Sequence, residues 1–151
     1  TSQWRYIADN VMGGISKGSV EFKKIEDSLV AILKGNVTTE NNGGFIQIRR
    51  DLSDVNLENA ASIKVVAKGN DQKYFVFIRT KGTKLPWQYY ESEFFVNDDF
   101  NEFILPIKNF KKSGILMPSK INPKKITSIG LVAFGRDHFA ELIIKEIEII
   151  K

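Results

Sequence analysis

Gly14 to Gly18 reads Gly-Ile-Ser-Lys-Gly, the G-x-S-x-G spacing that lifts a serine nucleophile onto a sharp strand-to-helix turn. That chemistry needs a helix behind the serine and a histidine and an acid further on. The only histidine is His138, with Asp137 beside it. The residues after Gly18, Val-Glu-Phe-Lys-Lys-Ile among them, read as strand and turn, so no helix opens at Ser16. Ser16 is expected to make a turn hydrogen bond worth about 1 kcal/mol and to attack nothing. Gly13 and Gly18 also have the spacing of a phosphate-cradling loop, but Ser19 stands where its lysine belongs. Glu91 and Glu93 alternate on one strand face, as glycosidase acids do and as any solvated strand face does. The chain has no Cys, which excludes thiolate chemistry, disulfides and Cys-held zinc, and one His excludes a His-rich metal cluster. The chain therefore reads as a non-enzyme, with no catalytic residue, metal or cofactor expected.

Residue types suited to binding are better represented. Phe45-Ile-Gln-Ile-Arg49 and Phe75-Val-Phe-Ile-Arg79 share one alternating pattern. Alternation puts Phe45, Gln47 and Arg49 on one strand face and Ile46 and Ile48 on the other. Phe75, Phe77 and Arg79 likewise oppose Val76 and Ile78. With the aliphatics inward, the other face offers aromatic rings and guanidinium groups, which stack on a sugar ring or clamp a carboxylate. Trp87, Tyr89 and Tyr90 lie just downstream and extend that surface. If the two strands are neighbours, Arg49 and Arg79 belong to one patch. The alternative is that the phenylalanines form the core face and each arginine reaches water at a strand end.

The elements that must position these residues are strands. Ser28–Gly35, Gly44–Arg50, Ser62–Gly69, Tyr74–Thr80, Tyr89–Val96, Glu102–Ile107, Ile126–Phe134 and Leu142–Ile150 are short and rich in β-branched and aromatic residues. Turn residues separate them at Lys34–Asn36, Asn41–Gly44, Lys68–Asp71 and Val96–Asp99. No segment holds a helical period over three turns, and Asp51–Ala60 has room for one helical turn. About nine strands at this spacing predict an all-β, two-sheet sandwich, a jelly roll. At 151 residues the chain is expected to form one domain spanning 1–151. Two diglycine loops, Asp9-Asn10 leading to Gly13-Gly14 and Asn41-Asn42 leading to Gly43-Gly44, are expected to be structural. At least two of those glycines should sit at positive φ.

Net charge is +4, unevenly spread. Between Phe103 and Arg136 there is no acid and seven cations: Lys108, Lys111, Lys112, Lys120, Lys124, Lys125 and Arg136. The rest of the chain is net negative. The longest irregular stretch, Asn109–Lys125, coincides with this segment. It lacks the arginines and interleaved aromatics of nucleic-acid sites, so no nucleic-acid partner is expected. It reads as a solvated loop or as a peripheral contact for an anionic membrane, through Lys108–Lys125. No apolar run is long enough to span a bilayer. No basic-then-apolar leader stands at Thr1, and a Thr start is compatible with one having been removed. The expected location is cytoplasmic for a bacterial chain and the mitochondrial matrix for a processed eukaryotic one.

Four stretches together carry a family resemblance: Trp4-x4-Asp-Asn-Val-Met-Gly-Gly-Ile-Ser16, Glu40-Asn-Asn-Gly-Gly-Phe-Ile-Gln-Ile-Arg49, Tyr74-Phe-Val-Phe-Ile-Arg-Thr80 and Ser128-Ile-Gly-Leu-Val-Ala-Phe-Gly-Arg-Asp137. In this order they resemble the complex I intermediate-associated protein 30 family over nearly the whole chain. Arg136-Asp-His-Phe139 departs from the Gly-Pro-Phe-like stretch usual there. The resemblance implies a galactose-binding-like jelly roll and a protein-binding chaperone role in assembling respiratory complex I. Against that stands a second class, a carbohydrate-binding module using the aromatic and arginine face, which rests on fold analogy.

Overall fold

A computed structural model describes residues 4–9, 14–40 and 44–151. Asn10, Gly13, Asn41, Asn42 and Gly43, named above as loop residues, lie outside the described residues. The strands are β1 (Trp4–Ala8), β2 (Lys17–Ile25), β3 (Ser28–Val37), β4 (Phe45–Asp51), β5 (Ser62–Gly69), β6 (Lys73–Thr80), β7 (Tyr90–Phe95), β8 (Asn101–Pro106), β9 (Lys111–Lys112), β10 (Ile126–Phe134) and β11 (His138–Ile150). They form two antiparallel sheets. The front sheet runs β1-β4-β10-β6-β7-β9 and the back sheet runs β2-β3-β11-β5-β8. The chain is a β-sandwich of jelly-roll type, as its alternation predicts.

Between the sheets lie the aliphatic positions of each strand. Ile46, Ile48, Val76, Ile78, Leu131 and Ala133 from the front meet Leu33, Val65, Ala67 and Leu142 from the back, all 1% exposed or less. Each fully buried Val, Leu or Ile contributes about 1.5–3 kcal/mol relative to exposure. Phe75 and Phe77 are not part of this core, so the phenylalanine-inward alternative is wrong. Tyr74, Tyr90, Phe94 and Phe110 are the aromatics that turn inward, so Tyr90 does not extend the outward surface as expected; the Tyr74 hydroxyl donates to Asn70 Oδ1 at 2.6 Å and accepts from the Glu141 N–H at 2.9 Å.

Several sequence expectations need correction. Eleven strands among the described residues replace about nine, because β1, β2 and the short β9 lie outside the eight runs named from the sequence. Asp51–Ala60 holds turns and no helix, with Val55 N–H bonded to the Leu52 carbonyl and Ala60 N–H to that of Leu57. The strands β4 and β6 are not neighbours, since β10 pairs with both.

The G-x-S-x-G stretch is structural. Asp9, wholly buried, directly follows β1, and Ser16, 5% exposed, directly precedes β2. The Asp9 carboxylate accepts from Ser16 N–H at 3.0 Å and Gly44 N–H at 2.6 Å, and from Phe45 N–H at 3.3 Å. Ser16 Oγ–H donates to the same carboxylate, and Oγ accepts from Thr38 N–H at 2.9 Å. One buried acid thus ties the ends of β1 and β3 to the starts of β2 and β4. Gly14 is needed because a Cβ there would lie 2.5 Å from Asp9 Cγ, and its φ is not positive; of the four diglycine positions, Gly13 and Gly43 lie outside the described residues. Gly44, at φ +125°, does take the left-handed region that glycine tolerates.

Candidate binding face

The outward face of the front sheet gathers the predicted site residues. Antiparallel register puts directly opposed residues on one face. One row across the sheet runs Arg5, Arg49, Gly130, Phe77, Glu91 and Lys111. The next runs Ile7, Gln47, Val132, Phe75 and Glu93. Gly130, on the central strand, gives the face its depth: a Cβ there would lie 2.7 Å from Gln47 Oε1. Gln47 is 1% exposed, and that Oε1 has no hydrogen-bond partner.

The aromatic part centres on Phe77. Its ring stacks on Tyr89 with centroids 4.0 Å apart and planes within 10°. Phe134 meets Phe75 and Phe77 edge-on at 4.6 and 5.1 Å. Such offset and edge contacts match the ring quadrupoles and stiffen the cluster. Tyr89 covers Phe77, so Phe77 is only 5% exposed and Tyr89, Phe75 and Phe134 form the accessible surface. Trp87 makes no ring contact with this cluster among the described residues and is 60% exposed on its loop.

Arg49 and Arg79 line one cleft of about 410 Å³ together with Ile7, Phe45, Lys84 and Pro86. They flank β10 rather than sitting on adjacent strands, yet share the cleft. Burial, then the nearby Arg79 and Arg5 guanidiniums, press the Arg49 pKa down to about 10. Burial also lowers that of Arg79, which Tyr89 partly offsets. Arg79 is half spent on structure. Its Nη1 donates to the carbonyls of Pro86 and Gln88 at 3.0 Å each, and its guanidinium lies 5.7 Å from the Tyr89 ring centroid. It thereby pins the 81–89 loop over the sheet, and its Nε is buried with no partner. Arg49 makes no side-chain hydrogen bond or ion pair among the described residues.

A second cleft, of about 320 Å³, opens on the other side of the aromatic cluster. Phe75 and Phe134 form one wall, Glu91, Glu93, Lys73 and Lys111 the other. Burial and then Glu93 raise the Glu91 carboxyl, against Lys111 and Lys73. Lys73 pairs with Glu93 at 3.2 Å. The back sheet's outward face differs: its central cation, Lys64, is met by Glu102, Glu146 and Glu148 within 3.6 Å. Lys64 is thus neutralised, whereas Arg49 and Arg79 of the front face enter no ion pair among the described residues.

Chemistry on a substrate finds little support. Ser16 bonds to Asp9 and Thr38 and makes no hydrogen bond with His138 among the described residues. His138 Nδ1 lies 2.9 Å from the Arg136 carbonyl, and burial lowers its pKa. No group of three or more His, Cys, Asp or Glu that could hold a metal occurs among the described residues. Arg5, Gly130 and Phe134 were not singled out from sequence. Arg5 belongs to a strand that was not read as one, and Phe134 sat unremarked at the end of Ile126–Phe134.

The family model of complex I intermediate-associated protein 30 matches residues 1–142. The chain belongs to this family. The loop knot around Asp9 and the outward arginine strands fall inside the matched region. No curated protein matches the chain by sequence. Among solved structures, it is similar to a family 11 carbohydrate-binding module of a Clostridium thermocellum cellulosomal cellulase, at TM-score 0.79 and 13% identity, over 98% of this chain and 87% of that one. A structure of the Clostridium thermocellum module described as a complex with a β-1,3-1,4-mixed-linked tetrasaccharide matches at TM-score 0.77 and 12% identity, over 99% and 89%. A family 30 carbohydrate-binding module matches at TM-score 0.63 and 11% identity, over 90% and 77%. These likenesses establish the shared sandwich fold.

Proposed function

We propose that this member of the complex I intermediate-associated protein 30 family is a non-catalytic binding module whose binding surface is the outward face of the front sheet. Its partner is a protein bearing exposed carboxylates, which the family description suggests is an intermediate of respiratory complex I assembly. The carrying observation is the arginine cleft: Arg49 and Arg79, with Arg5 near Arg49, enter no ion pair among the described residues. Gathering like charges is unfavourable in the free protein, and an incoming carboxylate relieves it through charge-assisted, bidentate hydrogen bonds. The test is capture of partners from the native cell by wild type and by Arg49→Ala. Arg49 is the better choice because Arg79 also holds a loop. Losing one charge-assisted bond costs about 1.5–3 kcal/mol, a roughly tenfold to hundredfold loss in affinity. Equal capture by both proteins at unchanged affinity rejects the reading.

A glycan laid across the same face is the second reading. The second cleft favours it, because half-exposed Phe75 and Phe134 beside Glu91, Glu93 and Lys73 suit a sugar ring and its hydroxyls. The likeness to carbohydrate-binding modules agrees. Calorimetric titration with mixed-linkage oligosaccharides separates the two. Binding that disappears in Phe75→Ala supports the glycan, and no heat alongside intact protein capture supports the protein partner.

A further inference from the structure

Two loops meet at one end of the front sheet. Ser113 Oγ donates to the Trp87 carbonyl at 2.7 Å and accepts from Tyr89 N–H at 3.0 Å, while Ser113 N–H donates to the Tyr89 carbonyl at 2.9 Å. Just beyond, Gly114–Met117 forms a turn closed by Met117 N–H on the Gly114 carbonyl at 3.2 Å. Met117 is buried and anchors the turn, but its central residues are thrown outward, Ile115 at 89% and Leu116 at 95% exposure. The Lys112 ammonium donates to the carbonyls of Ile115 and Met117 at 3.1 Å each, bracing the turn. Large aliphatic side chains are thus held in water by a fixed turn. On the adjoining loop Trp87 and Leu85 are also exposed, at 60% and 44%. Single exposed apolar residues are ordinary; four on adjoining loops mark a contact surface.

Cations stand behind this apex. A cleft of about 530 Å³ beside the turn is lined by Lys81, Lys84, Lys120 and Lys125, with Met117 and Pro118, and contains no acidic residue. None of these lysines enters an ion pair among the described residues.

We propose that this end of the sandwich docks on an anionic lipid bilayer, with Ile115, Leu116 and Trp87 entering the interfacial region and lipid phosphates occupying the lysine cleft. The order of groups carries the inference: aliphatic tips at the apex, an indole beside them and ammonium groups set back. That is the layering of an acyl boundary, an interface and a charged headgroup plane. A protein interface would instead deplete lysine. No helix among the described residues is long and apolar enough to cross a membrane, and this contact needs none. It does not rest on the partner-binding reading above, although Lys84 lines both clefts.

The experiment is co-sedimentation with phosphatidylcholine vesicles with and without phosphatidylserine, at low and high salt. Wild type should sediment with the phosphatidylserine vesicles at low salt and be released by high salt. Ile115→Ser with Leu116→Ser should lower binding tenfold or more, and Lys84→Gln and Lys120→Gln about fivefold each. All these side chains are exposed, so melting temperatures should match wild type. Trp87 emission should shift to the blue on vesicle addition, and the shift should vanish in Trp87→Phe, which retains Trp4. Absence of sedimentation with phosphatidylserine vesicles overturns the proposal. So does undiminished binding by the Ile115→Ser, Leu116→Ser protein, or equal binding to both vesicle types. Lipid-free self-association lost in that variant would also overturn it, by making a second copy the occupant.

Discussion

Replacing Asp9 by alanine should be among the most damaging single changes in the chain. The wholly buried carboxylate accepts three backbone N–H groups, from Ser16, Gly44 and Phe45, and the Ser16 hydroxyl. Alanine strands all of these donors at once. Bonds to a charged acceptor are worth about 1.5–3 kcal/mol each, but they are not additive and water enters part of the gap. A loss of about 3–5 kcal/mol is expected, as for breaking other buried charged networks. For a domain of this size that lowers Tm by about 6–20 °C. Ser16→Ala should lose about 1–3 kcal/mol, more than a simple turn bond, because it also strands Thr38 N–H. The double variant should be less damaged than the sum of the single ones, since both remove the same contact. Thermal melts followed by circular dichroism read all three. An Asp9→Ala protein melting within about 2 °C of wild type would refute the reasoning.

A serine-reactive fluorophosphonate probe should leave Ser16 unlabelled; stoichiometric labelling there, read by mass spectrometry, would restore the hydrolase reading. Burial lowers the His138 pKa below its ordinary 6.5, so just below that pH the unfolded chain binds more protons than the folded one. Stability should therefore be level above pH 6.5 and fall as pH drops below it, and His138→Asn should flatten that fall in chemical denaturation. Gly130→Val should cost about 1–3 kcal/mol, because its side chain meets Gln47 Oε1, and should weaken partner capture by filling the face. Unchanged capture by a folded Gly130→Val protein would show that the depth at Gly130 is not used.

The strands that could be read were those with one aliphatic face or a short apolar run. Ser62–Gly69 matches β5 because its alternation directly reports which side meets the core, and Ile126–Phe134 matches β10 as a short apolar run buried on both faces. β2 was harder, since Lys17–Ile25 is an edge strand largely exposed on both faces and its alternation is weak. Local pattern also put Phe75, Phe77 and Arg79 on one strand face and Phe45, Gln47 and Arg49 on another, but left open whether those faces turn outward, which burial decides. Local pattern could not set strand order, which depends on pairings across more than half the chain, so the place of β10 between β4 and β6 was hidden. Hence Gly130 and Phe134 went unnoticed as parts of the face, and the division of Arg79 between loop and cleft was invisible. The Asp9–Ser16 contact was hidden differently: its spacing imitated a catalytic motif, and only burial and hydrogen bonding reveal it as a tie between strand ends.

The central claim is that ligand is held on the outward face of the front sheet. Amide chemical-shift mapping of the isotope-labelled protein, titrated with the captured partner and separately with mixed-linkage oligosaccharide, tests it most directly. The account predicts shifts concentrated at Gln47, Arg49, Phe75, Phe77, Glu91, Gly130 and Phe134, and their loss in Arg49→Ala for the protein partner. Shifts confined to the back sheet around Lys64, or to the apolar cleft between the sheets at Trp4, Leu29 and Arg50, would contradict it.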